Sequence, residues 1–135
     1  MKKYYSNVKE GVLLYVVNKQ EDINHKRLDL SPEEECLQVS CKKLKQSDSF
    51  RPHKHLPLER NTLTTNEAWV IVRGTIRAKL FDTDNTLYSE QTLKQGDCLI
   101  CFNAGHSFKV LENDTILYEF KNGPYYGAEK DKEFI

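Results

Sequence analysis

Two histidines stand one residue apart in the stretch RPHKHLPLER, residues 51–60. Alternate residues of a β-strand project from the same face, so a strand here would place His53 and His55 side by side with Arg51. Two imidazoles at this spacing can reach one ion, and imidazole with carboxylate is a ligand set for zinc, iron, nickel or manganese. The pattern therefore predicts a divalent transition-metal site, and a solvated loop is the alternative interpretation.

The remaining ligands of such a site must come from other parts of the chain. His106 stands at the start of an apolar, strand-like run and can supply a third imidazole. Glu59 and Glu67 can supply a carboxylate, and the residue types alone leave the choice between them open. His25 lies in a polar loop among charged residues, where we expect it to be solvated.

The four cysteines suggest a second metal hypothesis, because Cys98 and Cys101 have the CxxC spacing. They lie in the apolar run DCLICF, and residues three apart on a strand point to opposite faces. Cys36 and Cys41 form no second CxxC pair. The sequence therefore favours small buried thiols in the core over a zinc site.

The elements that must position these residues are β-strands, because apolar residues recur with period two in short runs separated by turn residues. Residues 30–35 favour one short helical turn, and Arg73-Gly74 is typical of a tight hairpin. Nine strands in one small domain must close or stack to cover their edges, which predicts a barrel or a jelly roll. The predicted strands cover residues 11–18, 36–44, 49–55, 67–74, 75–82, 87–93, 97–102, 106–112 and 115–121.

The composition restricts the classes of function. A chain of 135 residues supports one hydrophobic core, so we predict a single domain over residues 1–135. Twenty Lys and Arg balance twenty Asp and Glu, which argues against nucleic acid or an anionic membrane as the partner. No run is typical of a signal peptide or of a membrane span, so we expect a cytoplasmic protein with reduced cysteines.

Several spacings together resemble the two-motif signature of the cupin superfamily. After His-Lys-His come Glu67, separated by six residues from Gly74, then Gly96-Asp97, and then His106 in an apolar run. The resemblance implies an all-β cupin double-stranded β-helix, that is, a jelly-roll barrel. Its core would cover about residues 36–121, with an N-terminal arm (1–35) that adds a strand and an irregular C-terminal tail (122–135). The aromatic residues of the tail, Tyr125, Tyr126 and Phe134, predict that it packs along the barrel or across a partner subunit.

The resemblance also implies a metal-binding role inside the barrel. Its ligands would be His53, His55, Glu67 and His106, and the ion would be zinc, iron, nickel or manganese. Glu67 is preferred to Glu59 because it opens the strand that ends at Gly74, as the family's glutamate does.

Three stretches narrow the resemblance, namely FRPHKH, EAWVIVRG and YEFKNGPYYGAEKDKEFI. They are similar to small single-domain cupins of the WbuC type, which are encoded with bacterial surface-polysaccharide genes. This implies a small-molecule ligand derived from a sugar or a nucleotide-sugar. Cupins often form homodimers through terminal strands, and residues 11–18 are a suitable added strand, so the resemblance also implies a homodimer.

Other residues are candidates for contacts with that ligand. Arg51 and Arg60 could clamp a carboxylate or a phosphate, and Trp69 and Tyr118 combine an apolar ring with a polar atom. Glu59 or Tyr118 could act as the catalytic base.

The predicted activity is therefore that of a metal-dependent isomerase, epimerase or lyase. A related hypothesis is a metal-independent sugar isomerase or epimerase in which His53 or His55 is the base. The alternatives are a non-catalytic binding module and an iron-dependent dioxygenase.

Overall fold

A computed structural model describes residues 1–135 and consists almost entirely of β-strands. The larger of two main sheets has five antiparallel strands in the order β1-β2-β8-β5-β10. The strands of this sheet are β1 (Lys2–Tyr5), β2 (Leu13–Asn18), β5 (Glu67–Arg73), β8 (Cys98–Cys101) and β10 (Ile116–Lys121).

The smaller sheet has three antiparallel strands in the order β7-β6-β9. A short hairpin of two further strands lies outside both sheets, and a 3₁₀ turn covers Gln20–Asp22. The remaining strands are β3 (Leu28–Asp29), β4 (Ser40–Cys41), β6 (Thr75–Phe81), β7 (Leu87–Lys94) and β9 (His106–Val110).

Two hydrophobic clusters cover the two faces of the larger sheet. The cluster between the sheets contains Trp69 and Ile71 of β5 together with the inner side chains of β6. The cluster on the outer face contains Ala68 and is covered by residues of the β3–β4 hairpin region. Cys98 belongs to the outer cluster and Cys101 to the inner one, so the prediction that they are buried on opposite faces is confirmed.

The chain passes from one sheet to the other at Gly74. The hairpin predicted at Arg73-Gly74 is wrong, because β5 pairs with β8 and β10 while β6 pairs with β7 and β9. Gly74 has φ +82°, and a Cβ on this residue would lie 2.9 Å from Cα of Thr115. Glycine is therefore required here both by the backbone conformation and by the close approach of the neighbouring chain.

Most of the predicted strands are confirmed to within two residues, but those between residues 36 and 55 are not. Only Ser40–Cys41 remains of the strand at 36–44, and residues 49–55 lie in a long segment without strand or helix. Pro52 and Pro57 have no N–H group to donate to a neighbouring strand. The apolar side chains of this segment are not buried, since Phe50 is 58% exposed and the leucines that follow it are also exposed.

The all-β class is confirmed, and the two main sheets face each other without closing into a barrel. Strands β9 and β10 each end their sheet with one unpaired edge. Strand β2 is buried and hydrogen-bonded on both sides, by β1 and β8, so residues 13–18 are not free to add to the sheet of a second subunit.

The C-terminal tail is irregular, as predicted, except for one helical turn, α1 (Ala128–Asp131). It begins with hydrogen bonds of Asn122 to Asn66 and Thr64, and it meets the rest of the chain again near its end. The hydroxyl of Thr65 donates a hydrogen bond to Asp131, and the side chain of Ile135 lies against Gly105. No helix has the length and apolar character that crossing a membrane requires.

Candidate functional site

A buried carboxylate, Glu67, is the centre of the candidate site. Its Oε1 accepts a hydrogen bond from Nε1 of Trp69 at 2.6 Å, and Nε2 of His106 lies 3.4 Å from the same oxygen. Its Oε2 lies 3.1 Å from Nζ of Lys121. Only 4% of Glu67 is exposed, so three side chains replace the water that a carboxylate would otherwise bind.

The strand register brings these four residues together. Glu67 begins β5 and Trp69 follows it on the same face, because side chains alternate along a strand. Lys121 ends β10 and is the register partner of Glu67. His106 begins β9 in the opposite sheet and pairs with Leu80, a core residue whose side chain points between the sheets.

Electrostatics keep the carboxylate of Glu67 ionised. Burial raises its pKa, but the opposing effects of His106, Lys121 and Trp69 outweigh burial and hold the pKa at about 2. Burial lowers the pKa of Lys121, and Glu119 and Glu67 more than reverse this, so that its pKa lies above the ordinary value. The site therefore contains a permanent ion pair with a histidine beside it.

The imidazole of His106 is held between polar and aromatic neighbours. Its Nδ1 lies 3.4 Å from the carbonyl oxygen of Ala104, which is long for a hydrogen bond. The indole of Trp69 meets the imidazole edge to face at 5.1 Å, and the ring of Phe108 meets the indole at 4.9 Å. This packing fixes the orientation of the imidazole.

Two cavities reach His106 from the space between the sheets and the tail. The first has a volume of about 500 Å³ and is bounded by Glu67, Trp69 and Phe108 on one side and by the tail on the other. The second has a volume of about 610 Å³ and a polar wall that includes Asn85 and Asn103. Both volumes are large enough for a small organic molecule.

Three of the predicted site residues converge in this region, namely Glu67, Trp69 and His106. The others lie elsewhere. His53 and His55 are exposed in the segment that lacks strands, with their rings 5.5 Å apart and edge to face. The remaining candidates of that segment, Arg51, Glu59 and Arg60, are also exposed and line neither cavity.

Tyr118, predicted as a ligand contact and as a possible base, lies on the other face of the larger sheet. It pairs with Val70, whose side chain points away from that of Trp69, and it is 63% exposed. Tyr118 points outward because side chains alternate along β10, and Glu119 and Lys121 take the positions that face the other sheet.

Lys121 is the functional residue that the sequence did not single out. The signal that could have found it is the register, because the last residue of β10 faces the first residue of β5. Predicting that pairing requires the strand order, and β5 and β10 are far apart along the chain.

The residues as placed do not fit the metal that the cupin resemblance implies. No three side chains of His, Cys, Asp or Glu converge on one point, and only Glu67 and His106 of the predicted ligands are neighbours. The ammonium group of Lys121 occupies the second oxygen of Glu67 and would repel a cation there.

Together, the fold and the site define an all-β protein with a carboxylate and a histidine paired in a cavity between two sheets. The chain matches no protein-family model, no curated protein and no solved structure.

The low pKa of Glu67 predicts a loss of stability in acid. The pKa is about 2 in the folded protein against an ordinary value of 4.5, so the stabilisation is complete above pH 4.5 and disappears as the pH falls towards 2. It is worth about 3 kcal/mol. Urea unfolding at pH 6 and pH 3 should show about 2 kcal/mol of this loss, with Glu67→Gln as the comparison. The variant should lose less stability than the wild type between these pH values; equal losses would contradict the prediction.

Proposed function

We propose that this chain is a cupin-like enzyme that binds a small carbohydrate-derived molecule beside His106 and transfers a proton through that histidine. The observation that carries the proposal is the contact between His106 and the ionised Glu67 inside a cavity with aromatic walls. The reaction class that suits it is an isomerisation or an epimerisation, in which a proton leaves one carbon and returns.

The contacts of the imidazole assign a role to each of its nitrogens. Nε2 lies 3.4 Å from Oε1 of Glu67, which can only accept, and this favours the tautomer with the hydrogen on that nitrogen. Nδ1 has only the long contact to Ala104, so it is the atom left to take a proton from a bound molecule. Glu67 orients the ring and stabilises the charge that the ring gains, while its own low pKa keeps it from taking the proton.

The walls of the two cavities suit a sugar. Phe108, which is 41% exposed, offers aromatic surface to the C–H groups of a sugar ring, and the buried Trp69 supports its ring. Asn85 and Asn103 line the polar cavity and can form hydrogen bonds with hydroxyl groups. The resemblance to cupins agrees with this ligand class, because sugar 3,4-ketoisomerases and 3,5-epimerases of related fold use a histidine base.

Deuterium exchange tests this function without knowledge of the natural product. The protein is incubated in D2O with a nucleoside-diphosphate 4-keto-6-deoxyhexose, and NMR follows the protons on the carbons next to the ketone. We expect deuterium to replace a proton at one of these carbons. No incorporation above the protein-free rate, with this probe and with the free keto sugar, would refute the proposal.

A second candidate function is metal binding, and the exposed histidine pair together with an unpaired sheet edge favours it. The rings of His53 and His55 are close enough to share one ion. The open edge of β9 begins at His106, and its exposed Phe108 and Val110 could be covered by a further strand. Residues 49–55 paired there would complete a jelly roll and bring three imidazoles together.

Elemental analysis of protein purified without a chelator or a histidine tag tests the second candidate. If this second candidate function holds, the protein contains about one equivalent of zinc, iron, nickel or manganese, and both His53→Ala and His106→Ala lose it. The control, His25→Ala, should retain the metal because His25 lies exposed in a different loop. Less than about 0.2 equivalents, unrestored by adding these metals, would refute metal binding.

A further inference from the structure

The segment of residues 128–135, here called the C-terminal segment, closes one side of the aromatic cavity. Residues Asp131 to Ile135 all line that cavity. Ile135 lies directly on Gly105, since a Cβ built on this glycine would come within 2.5 Å of Cδ1 of Ile135. The contact places the segment next to His106, on the path by which a molecule would reach the imidazole.

The C-terminal segment is attached to the rest of the chain at few points. Its only hydrogen bond to the strands and loops is the one from Thr65 to Asp131, at 2.6 Å. Its backbone bonds stay within residues 127–132. Exposed Lys132 and Glu133 follow without a salt bridge, so little free energy opposes movement of this segment.

Gly127 has the properties of a hinge for this movement. Its φ is +101° and its ψ 158°, a conformation that is essentially restricted to glycine. No atom lies within 4 Å of the position that a Cβ would take, so the backbone has room to rotate there. The hinge directly precedes α1 and therefore carries the whole segment.

Phe134 is the residue that movement of the C-terminal segment would bring against a bound molecule. It lines the cavity entrance but is 93% exposed, so its ring contributes almost no buried area in the arrangement described. Phe108 lines the same cavity and is 41% exposed, with the buried Trp69 packed against its ring. A molecule bound against Phe108 would offer the ring of Phe134 an apolar surface to cover.

We propose that the C-terminal segment is a hinged lid, and that Phe134 is a ligand-binding residue that closes over a sugar-like molecule. Gly127 is the hinge, and the hydrogen bond from Thr65 to Asp131 holds the lid in place when no ligand is bound. The role of Phe134 rests on the proposed function, whereas the opening of the lid does not.

Fluorescence quenching tests the lid in the absence of any ligand. Trp69 is the single tryptophan of the chain, it is 2% exposed, and it lies in the cavity that the lid covers. Thr65→Val removes the hydrogen bond to Asp131 and should raise the acrylamide quenching constant about twofold or more. Thr62→Val is the matched control, since Thr62 bonds only to Thr64 and should leave quenching unchanged. Equal quenching in wild type and Thr65→Val would overturn the lid.

The contribution of Phe134 is measured in the deuterium-exchange assay. Phe134→Ala should raise KM for the keto-sugar probe about three- to tenfold and leave kcat within about twofold, because it removes only a binding contact. Since the side chain is almost fully exposed, the variant should fold as the wild type does. An unchanged KM in an active enzyme would refute this role. No exchange by any variant, with quenching raised in Thr65→Val, would refute the proposed function and leave the lid standing.

Discussion

Replacement of His106 by asparagine is expected to lower the rate of deuterium incorporation into the keto-sugar probe by about 100-fold or more. Asparagine keeps a polar side chain of similar reach but has no nitrogen that can accept a proton at neutral pH. The imidazole of His106 is the only one that reaches the cavities. The rates are measured by NMR in D2O at one pH with saturating probe.

Two control variants test whether the loss of exchange is specific to His106. His25→Asn alters an exposed loop far from the cavities and should exchange at the wild-type rate. His53→Asn should also be unaffected if the cavity acts as described, whereas its inactivity would support assembly of a metal site from the exposed segment. A fully active His106→Asn variant would refute the assignment of the base.

Glu67→Gln separates positioning from proton transfer at the same site. Glutamine keeps the shape of the side chain but removes the charge that stabilises a protonated His106. The predicted pattern is a lower kcat with little change in KM, because the carboxylate acts through the imidazole and is itself only 4% exposed.

The convergence of Glu67, Trp69 and His106 could be predicted from the sequence because it depends on local rules. Alternation along a strand places Glu67 and Trp69 on one face, and the run after His106 predicts the strand that forms as β9. The spacing that resembles the cupin signature also predicted that Glu67 and His106 belong to one site. Buried Cys98 and Cys101 followed from the same alternation.

The position of His53 and His55 could not be predicted by the same rule. Alternation states which side chains share a face if a strand forms, but a strand also needs a neighbour to accept its hydrogen bonds. Neither sheet of this arrangement pairs with residues 49–55. The pairing of β5 with β10 could not be predicted either, because it joins segments that are distant in the sequence. The position of Lys121 beside Glu67 depends on this pairing and was therefore missed.

A buried ion pair contributes little net stability to a fold, but removing one partner is costly. Bringing the charges of Glu67 and Lys121 out of water costs free energy that their attraction only partly returns. A hydrophobic pair in the same place would pack well but could not orient an imidazole. Under the proposed function, the charged pair serves to orient His106.

This reasoning predicts a large change in stability for Glu67→Leu. The substitution leaves the buried indole N–H of Trp69 without its acceptor and removes one of the two carboxylates that contact Lys121, which keeps only Glu119. The free energy of unfolding in urea at pH 7 should fall by about 2–4 kcal/mol. Glu59→Leu, at an exposed position, should change it by less than about 0.5 kcal/mol.

A second substitution shows whether the loss of unfolding free energy in Glu67→Leu comes from the broken ion pair or from the changed shape of the side chain. The double variant Glu67→Leu with Lys121→Met removes both charges of the pair, and methionine fills the space of the lysine stem. Glu119 loses its partner as well, but its side chain is 42% exposed and stays solvated. Part of the lost stability, about 1–3 kcal/mol, should return. If the double variant is as unstable as the sum of the two single variants, the charges are not coupled. Glu67 would then stabilise the fold through packing and the hydrogen bond from Trp69, without a contribution from Lys121.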